Sequence, residues 1–272
     1  MPLTPASTND ILLSEDNHVL TITLNRPDRL NAISGPMLDE LAAKLKEANL
    51  DSDVRVVIIT GAGKGFCSGL DLKDTQRNMS EGKGIGMTQN AQRLFSVENS
   101  PISALWQMDK PVIAAINGAA AGFGMDMALL ADMRIMSNTA KLAATMVKRN
   151  VVPESGGTWL LPRLVGWGKA AEIFYRGKVL LADECLTLNL ANEVVEPDEV
   201  MAKARQWAEE IAANGPLAVQ TTKRMMRMGM EETFPTTVDH LMMHFKALTA
   251  TEDFQEALLA FNEKREPKFK GR

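Results

Sequence analysis

A chain of 272 residues, 45% hydrophobic and 24% charged, has room for one large globular core, or for a core with a smaller appended unit. A net charge of −4 argues against a general nucleic-acid partner, and Asp126 and Asp132 interrupt the longest apolar stretch well short of membrane-spanning length. Cys67 and Cys185 stand alone and read as buried thiols of a reducing cytoplasm rather than as a disulfide, and no basic-then-apolar leader is evident in the first residues.

In chain order, His18 to Asn25 alternates as a strand and is broken by Arg26-Pro27-Asp28-Arg29. Pro36 to Leu50 places Met37, Leu41, Leu45 and Leu50 on one helical face, and Val54 to Thr60 is a short β-branched run with the character of a buried strand. Asp74 to Thr88 is polar and glycine-containing and reads as a surface loop or a loop over a site; a helix from Gln89 to Met108 follows. Pro111 to Asn117 is a second buried strand, Gly118 to Gly124 a small-residue turn, and helical spacing begins at Phe123. Short strands are expected at Arg134 to Ser137, Lys141 to Ala143 and Glu193 to Val195. Helices are expected at Thr158 to Leu164, Lys169 to Arg176 and Ala182 to Leu188, the last capped by Asp183. From Asp198 four amphipathic helices follow, at 198–214, 216–230, 235–250 and 252–264. The expected organisation is an α/β body over 1–197 and a helical unit over 198–272. A methionine-rich patch (Met225, Met226, Met228, Met230, Met242, Met243) reads as core or subunit-interface packing, and Trp106 and Trp159 also read as packing residues.

The two buried strands share a feature. Each runs into glycines and then into a helix start, the first through Gly61, Gly63, Gly65 and Gly69 to Asp71, the second through Gly118, Gly122 and Gly124. The first N–H groups of a helix have no partner inside it and favour an anion. If the strands are neighbours, two such N–H groups converge on one oxygen; removing one donor from such a pair costs about 3–4 kcal/mol of transition-state stabilisation.

GKGFCSGLDLKD (Gly63 to Asp74), INGAAAGFGMDMALLADMRI (Ile116 to Ile135) and VPESGGTWLLPRLVG (Val152 to Gly166) resemble, in order, blocks of the enoyl-CoA hydratase/isomerase family, the crotonase superfamily. LNRPDRLNAIS (Leu24 to Ser34), ADECLTLNLANEVV (Ala182 to Val195) and the tail Glu252 to Arg272 resemble it as well, so the likeness covers nearly the whole chain. The resemblance implies a spiral of repeated strand-strand-helix turns and an acyl-CoA thioester substrate. It also implies a homotrimer or dimer of trimers, and no metal or redox cofactor, coenzyme A entering only as part of the substrate. Carried over by motif, the backbone amides of Leu70 and Phe123 form the oxyanion hole, and Arg29, Lys73 and Lys268 lie in segments that approach the CoA nucleotide.

Glu154, between an apolar pair and a glycine turn, reads either as a catalytic carboxylate or as an acid complementing a helix N-terminus. The resemblance favours the first, because isomerase-like branches carry their acid/base at this place, and burial there is expected to raise its pKa. Asp126 lies where family hydratases carry the first of two glutamates, one methylene shorter, and reads as catalytic or as structural. The second hydratase glutamate is replaced by Met146, which cannot transfer a proton. Double-bond isomerisation through Glu154 is therefore the leading expectation, with hydration by Asp126 and Glu154 next and an inactive crotonase-fold binding subunit after that. Gly61 to Gly65 meets neither dinucleotide nor P-loop spacing, and His18, His240, His244 and the two cysteines offer no zinc-site spacing.

Overall fold

A computed structural model of the chain describes residues 3–80 and 100–272. Strands β1 (Ile11–Asp16) and β2 (Val19–Leu24) form a hairpin whose two-residue turn, Asn17-His18, has both residues at positive φ, the geometry that matches strand twist. Helix α1 (Gly35–Leu50), capped by Ser34, leads to β3 (Val56–Gly61) and β4 (Gly65–Cys67). Helix α2 (Leu72–Ser80) occupies the first part of the stretch read as a loop; the remainder of that stretch lies outside the described residues. The same holds for most of the helix expected from Gln89, of which α3 (Pro101–Gln107) is described.

The central repeat then unfolds as β5 (Val112–Ile116), β6 (Ala119–Ala121), α4 (Phe123–Leu130), β7 (Met133–Ser137) and β8 (Lys141–Ala143). Helices α5 (Gly157–Val165) and α6 (Trp167–Tyr175), strand β9 (Val179–Leu181), helix α7 (Ala182–Thr187) and strand β10 (Glu193–Val195) complete the α/β part. Asp183 lies in the first turn of α7 without capping it; Leu181 holds the cap position. Helices α8 (Val200–Ala212), α9 (Pro216–Gly229), α10 (Phe234–Leu248) and α11 (Glu252–Glu263) follow.

The strands form two sheets, β1-β2-β3-β5-β7-β10 and β4-β6-β8-β9. From β2 onward the larger sheet is parallel, and β3 and β5 are neighbours, Val57 opposite Val112 and Thr60 opposite Ala115. Each of β3, β5 and β7 is followed by a three-residue strand in the small sheet, so the chain climbs as a spiral of paired strands. Of the small sheet, β8 was expected as a strand and β4, β6 and β9 were not; Gly118 to Gly124, read as a turn, contains β6.

Burial on both faces explains the unbroken apolar runs of β3 and β5. Val57 and Ile59 enter the main core with Leu41 and Leu45 of α1, while Val56, Ile58 and Ile113 meet Val200, Ala204 and Ala208 of α8 on the other face. Each fully buried Ile or Leu there contributes about 1.5–3 kcal/mol. The strands are thus fixed from two sides, and so are the turns at their C-terminal ends.

Candidate active site

Residues 68–71 are laced to residues 30–33. Ser68 N–H donates to Leu30 O at 3.0 Å, Ile33 N–H to Gly69 O at 2.8 Å and Asp71 N–H to Ile33 O at 2.9 Å. This single parallel bridge uses the groups flanking Leu70, so the N–H of Leu70 itself is directed away from it. Gly69, at φ +103°, is pressed against the next turn: a Cβ there would stand 3.0 Å from Ala121 O and 3.7 Å from Phe123 N. The Leu70 and Phe123 amides are thereby brought side by side. Phe123 is the first residue of α4, where an N–H has no intrahelical acceptor, and among the described residues neither amide has a recorded acceptor. The Phe123 ring is buried in the main core, so it does not narrow the space in front of its N–H.

Two asparagines that sequence reasoning passed over hold the first turn. Buried Asn31 donates to Ala62 O (2.9 Å) and Gly65 O (2.7 Å), and Asn117 donates to Gly63 O (2.9 Å) while accepting from Gly61 N–H. Their only sequence signal is an amide side chain directly after β5 for Asn117 and after the Arg26 to Arg29 break for Asn31. Asp71 caps α2 by accepting from Lys73 N–H at 3.1 Å and pairs with Arg26 at 3.0 Å. Burial alone would raise its carboxyl, but Arg26 and the helix amides outweigh that and hold it below the usual range.

Gly69→Ala is expected to lower turnover about 10- to 100-fold, part of the loss that outright removal of an oxyanion donor causes. The methyl group must displace Ala121 O and strain a left-handed backbone, which moves the Leu70 amide off its partner. Steady-state kinetics beside a thioester-binding measurement checks this; weakened binding with unchanged turnover would speak against it.

Asp126 lies in the first turn of α4, the helix that begins at Phe123, and is fully buried. Its Oδ2 accepts from Ser155 N–H at 3.2 Å, and Oδ1 has no partner among the described residues. Burial first, and then the charge of Glu154, push its carboxyl up to about 7 against the opposing pull of the Gly157 and Ser155 amides. Glu154 itself is exposed, contrary to the expectation of a buried acid, although Pro153 and Ser155 on either side of it are buried. No side chain caps α5, so Glu154 is not used as a helix cap. Met146 is buried in the core.

Arg29 and Lys73 are exposed near the Leu70 turn, Arg29 O accepting from Ser68 Oγ at 3.1 Å. Lys268 is not brought there. Its segment is tied back to α11 by Glu256, and through Phe269 O to Arg55 at the N-terminal end of β3. The glycine turn lies beyond the other end of that strand, roughly 20 Å away at about 3.3 Å per residue. Trp106 and Trp159 stack edge to face at 4.9 Å, with Arg227 and Arg163 over their rings, and so pack against one another. Cys67 and Cys185 are buried free thiols that burial pushes up to about 12, which makes neither a nucleophile.

Paired free amides beside a carboxylate-bearing turn are what an enzyme needs to make and quench an enolate, and on a spiral of paired strands they define the crotonase class. The family model described as enoyl-CoA hydratase/isomerase matches residues 14–272. A short-chain-enoyl-CoA hydratase of Clostridium acetobutylicum is 36% identical, covering 94% of this chain and 96% of the relative. A 1,2-epoxyphenylacetyl-CoA isomerase of Escherichia coli K12 is 33% identical, over 96% and 98%. The crystal structure of an enoyl-CoA hydratase from Bacillus anthracis superposes with a TM-score of 0.88 at 35% identity, over 97% of this chain and all of that one. The chain belongs to the enoyl-CoA hydratase/isomerase family and is an enzyme of the crotonase superfamily.

Proposed function

We propose that this enzyme isomerises enoyl-CoA thioesters, with Glu154 as the acid/base and the Leu70 and Phe123 amides as the oxyanion hole. The carrying observation is that the two carboxylates differ in access: Glu154 is exposed, whereas Asp126 is sealed in the core and Met146 offers no proton. Glu154 removes a proton from C2 of a 3-enoyl thioester, and the electron pair moves through the C2–C1 bond onto the thioester oxygen. Two N–H groups hold that oxygen. The charge then returns through the chain, the double bond moves to C2–C3, and Glu154 delivers the same proton to C4. Arg29 and Lys73 offer positive charge to the nucleotide phosphates, and coenzyme A is carried as part of the substrate.

Hydration by Asp126 and Glu154 is the second reading. It is favoured by the charge of Glu154 acting on the buried Asp126 carboxyl, which brings the two acids into one site, and by the hydratase relatives. An inactive binding subunit is disfavoured by the two amides left without acceptors. Incubation with 3-enoyl-CoA and, separately, 2-enoyl-CoA in deuterated water, followed by mass spectrometry, decides among them. Isomerisation converts the first to a 2-enoyl thioester without adding water. Addition of water to the second overturns that reading, and binding without turnover of either supports the inactive subunit.

We place the acyl-CoA site in residues 1–197 and assign 198–272 to oligomerisation and CoA covering. Support comes from α10, which buries no residue and exposes Leu241, Met242, Met243 and Phe245. A homotrimer, or a dimer of trimers, would cover that face and let Lys268 serve a neighbouring subunit's nucleotide. The two buried free thiols support the cytoplasm as the compartment.

A further inference from the structure

Three features around Asp126 fall outside ordinary proton transfer. The carboxylate is fully buried, so it is closed to solvent in the single chain. One of its oxygens accepts the Ser155 N–H, the residue next to Glu154. The other lies where a side chain on residue 157 would begin: a Cβ at Gly157 would overlap Oδ1, so the turn closes over the carboxylate only because that residue is glycine. Asp126 also stands three residues beyond Phe123 on the same first turn of α4.

We infer that Asp126 is a positioning residue, a strut fixing the Glu154 turn to the helix that carries the Phe123 amide. The strut sets the separation between the oxyanion donor and the acid, and it reaches no reacting atom itself. Buried Oδ1 fits this assignment: with only the Gly157 amide beside it and no well-formed hydrogen bond, an ionised oxygen there is poorly compensated, whereas a protonated carboxyl keeps one acceptor for Ser155 N–H and leaves less charge unpaired. Glu154 is the one charged group that acts on this carboxyl, from the turn it supports. The inference rests on Glu154 being the acid of the proposed reaction, so its test has one arm that needs no turnover.

That arm is amide hydrogen exchange over residues 150–160 in the full-length protein, comparing the natural chain with Asp126→Asn and Asp126→Ala. Asparagine keeps an acceptor for Ser155 N–H but cannot ionise, and alanine removes the strut. Alanine is expected to speed exchange at Ser155 to Gly157 about tenfold, the equivalent of one lost hydrogen bond, while asparagine leaves it near the natural rate. On 3-enoyl-CoA, alanine is expected to lower kcat about 10- to 100-fold with little change in KM, as misplacement of a catalytic group does, and asparagine to restore most of the loss. Unchanged exchange in Asp126→Ala overturns the strut whether or not the enzyme turns over this substrate. Loss of turnover in Asp126→Asn with natural exchange also overturns it, by making Asp126 a proton carrier. If the alanine variant does not fold, the asparagine variant alone decides on the same two readouts.

Discussion

Glu154→Gln is expected to lower kcat on 3-enoyl-CoA by about a thousandfold, within the range that removal of a positioned acid/base produces. Glutamine has the size and reach of glutamate but exchanges no proton, so the oxyanion hole remains and the proton relay between C2 and C4 is lost. Because Glu154 is exposed and caps no helix, the substitution should shift stability by no more than about 0.5 kcal/mol. KM should also change little, since the carboxylate contributes to the proton-transfer step rather than to holding the nucleotide. Steady-state kinetics together with urea unfolding checks both halves. A loss of less than about tenfold in a fully folded variant would remove Glu154 from the mechanism and direct attention to Asp126.

The contrast between these two acids shows what a sequence can and cannot say about a site. The glycine turns and the strands they follow were legible because β3 and β5 are buried on both faces and therefore read as unbroken apolar runs, whereas the adjacency of those strands was a condition that only the pairing in the sheet supplies. Helix α4 and the C-terminal helices were legible from their spacing. Of the small sheet only β8 was legible; β6 is three alanines between Gly118 and Gly122, which reads as a turn, and β4 and β9 are too short to display a period of two by themselves. β1 was missed because its edge position exposes Leu12 and leaves ILLSED without a clean alternation. Polar α2 carries little apolar signal of its own, its start being set by the Asp71 cap rather than by a buried stripe.

Accessibility was the least legible property. The apolar pair before Glu154 and the glycine turn after it suggested that this acid would be buried, yet Glu154 is exposed in the single chain between buried Pro153 and Ser155. Asp126 looked like a shortened catalytic acid, and its complete burial depends on a turn 29 residues further along closing over it. Which of two carboxylates meets solvent is a tertiary fact. So is the place of Lys268, whose segment resembles a nucleotide-binding one: the tail is anchored at Arg55, and the length of β3 separates that anchor from the glycine turn.

The burial of Asp126 has a second measurable consequence, in stability against pH. Its carboxyl is raised from 3.8 to about 7, so between these values the native state keeps a proton that the unfolded chain gives up. Where the native state binds more protons, stability falls as pH rises. The contribution is complete below pH 4, declines through the interval, and is gone above about pH 7. Three pKa units at 1.36 kcal/mol each set its size at about 4 kcal/mol, an upper value because water and relaxation reach buried acids in part. Asp126→Asn has no such slope. Measured by urea unfolding at one protein concentration, its stability relative to the natural enzyme should therefore climb by up to about 4 kcal/mol from pH 4 to pH 8. Lys110 and Lys223, which burial lowers to about 8, titrate alike in both proteins and cancel in the difference. Parallel curves would mean that Asp126 is ionised in the native state near its ordinary pKa, and that the enzyme tolerates an unpaired charge inside the turn that carries Glu154.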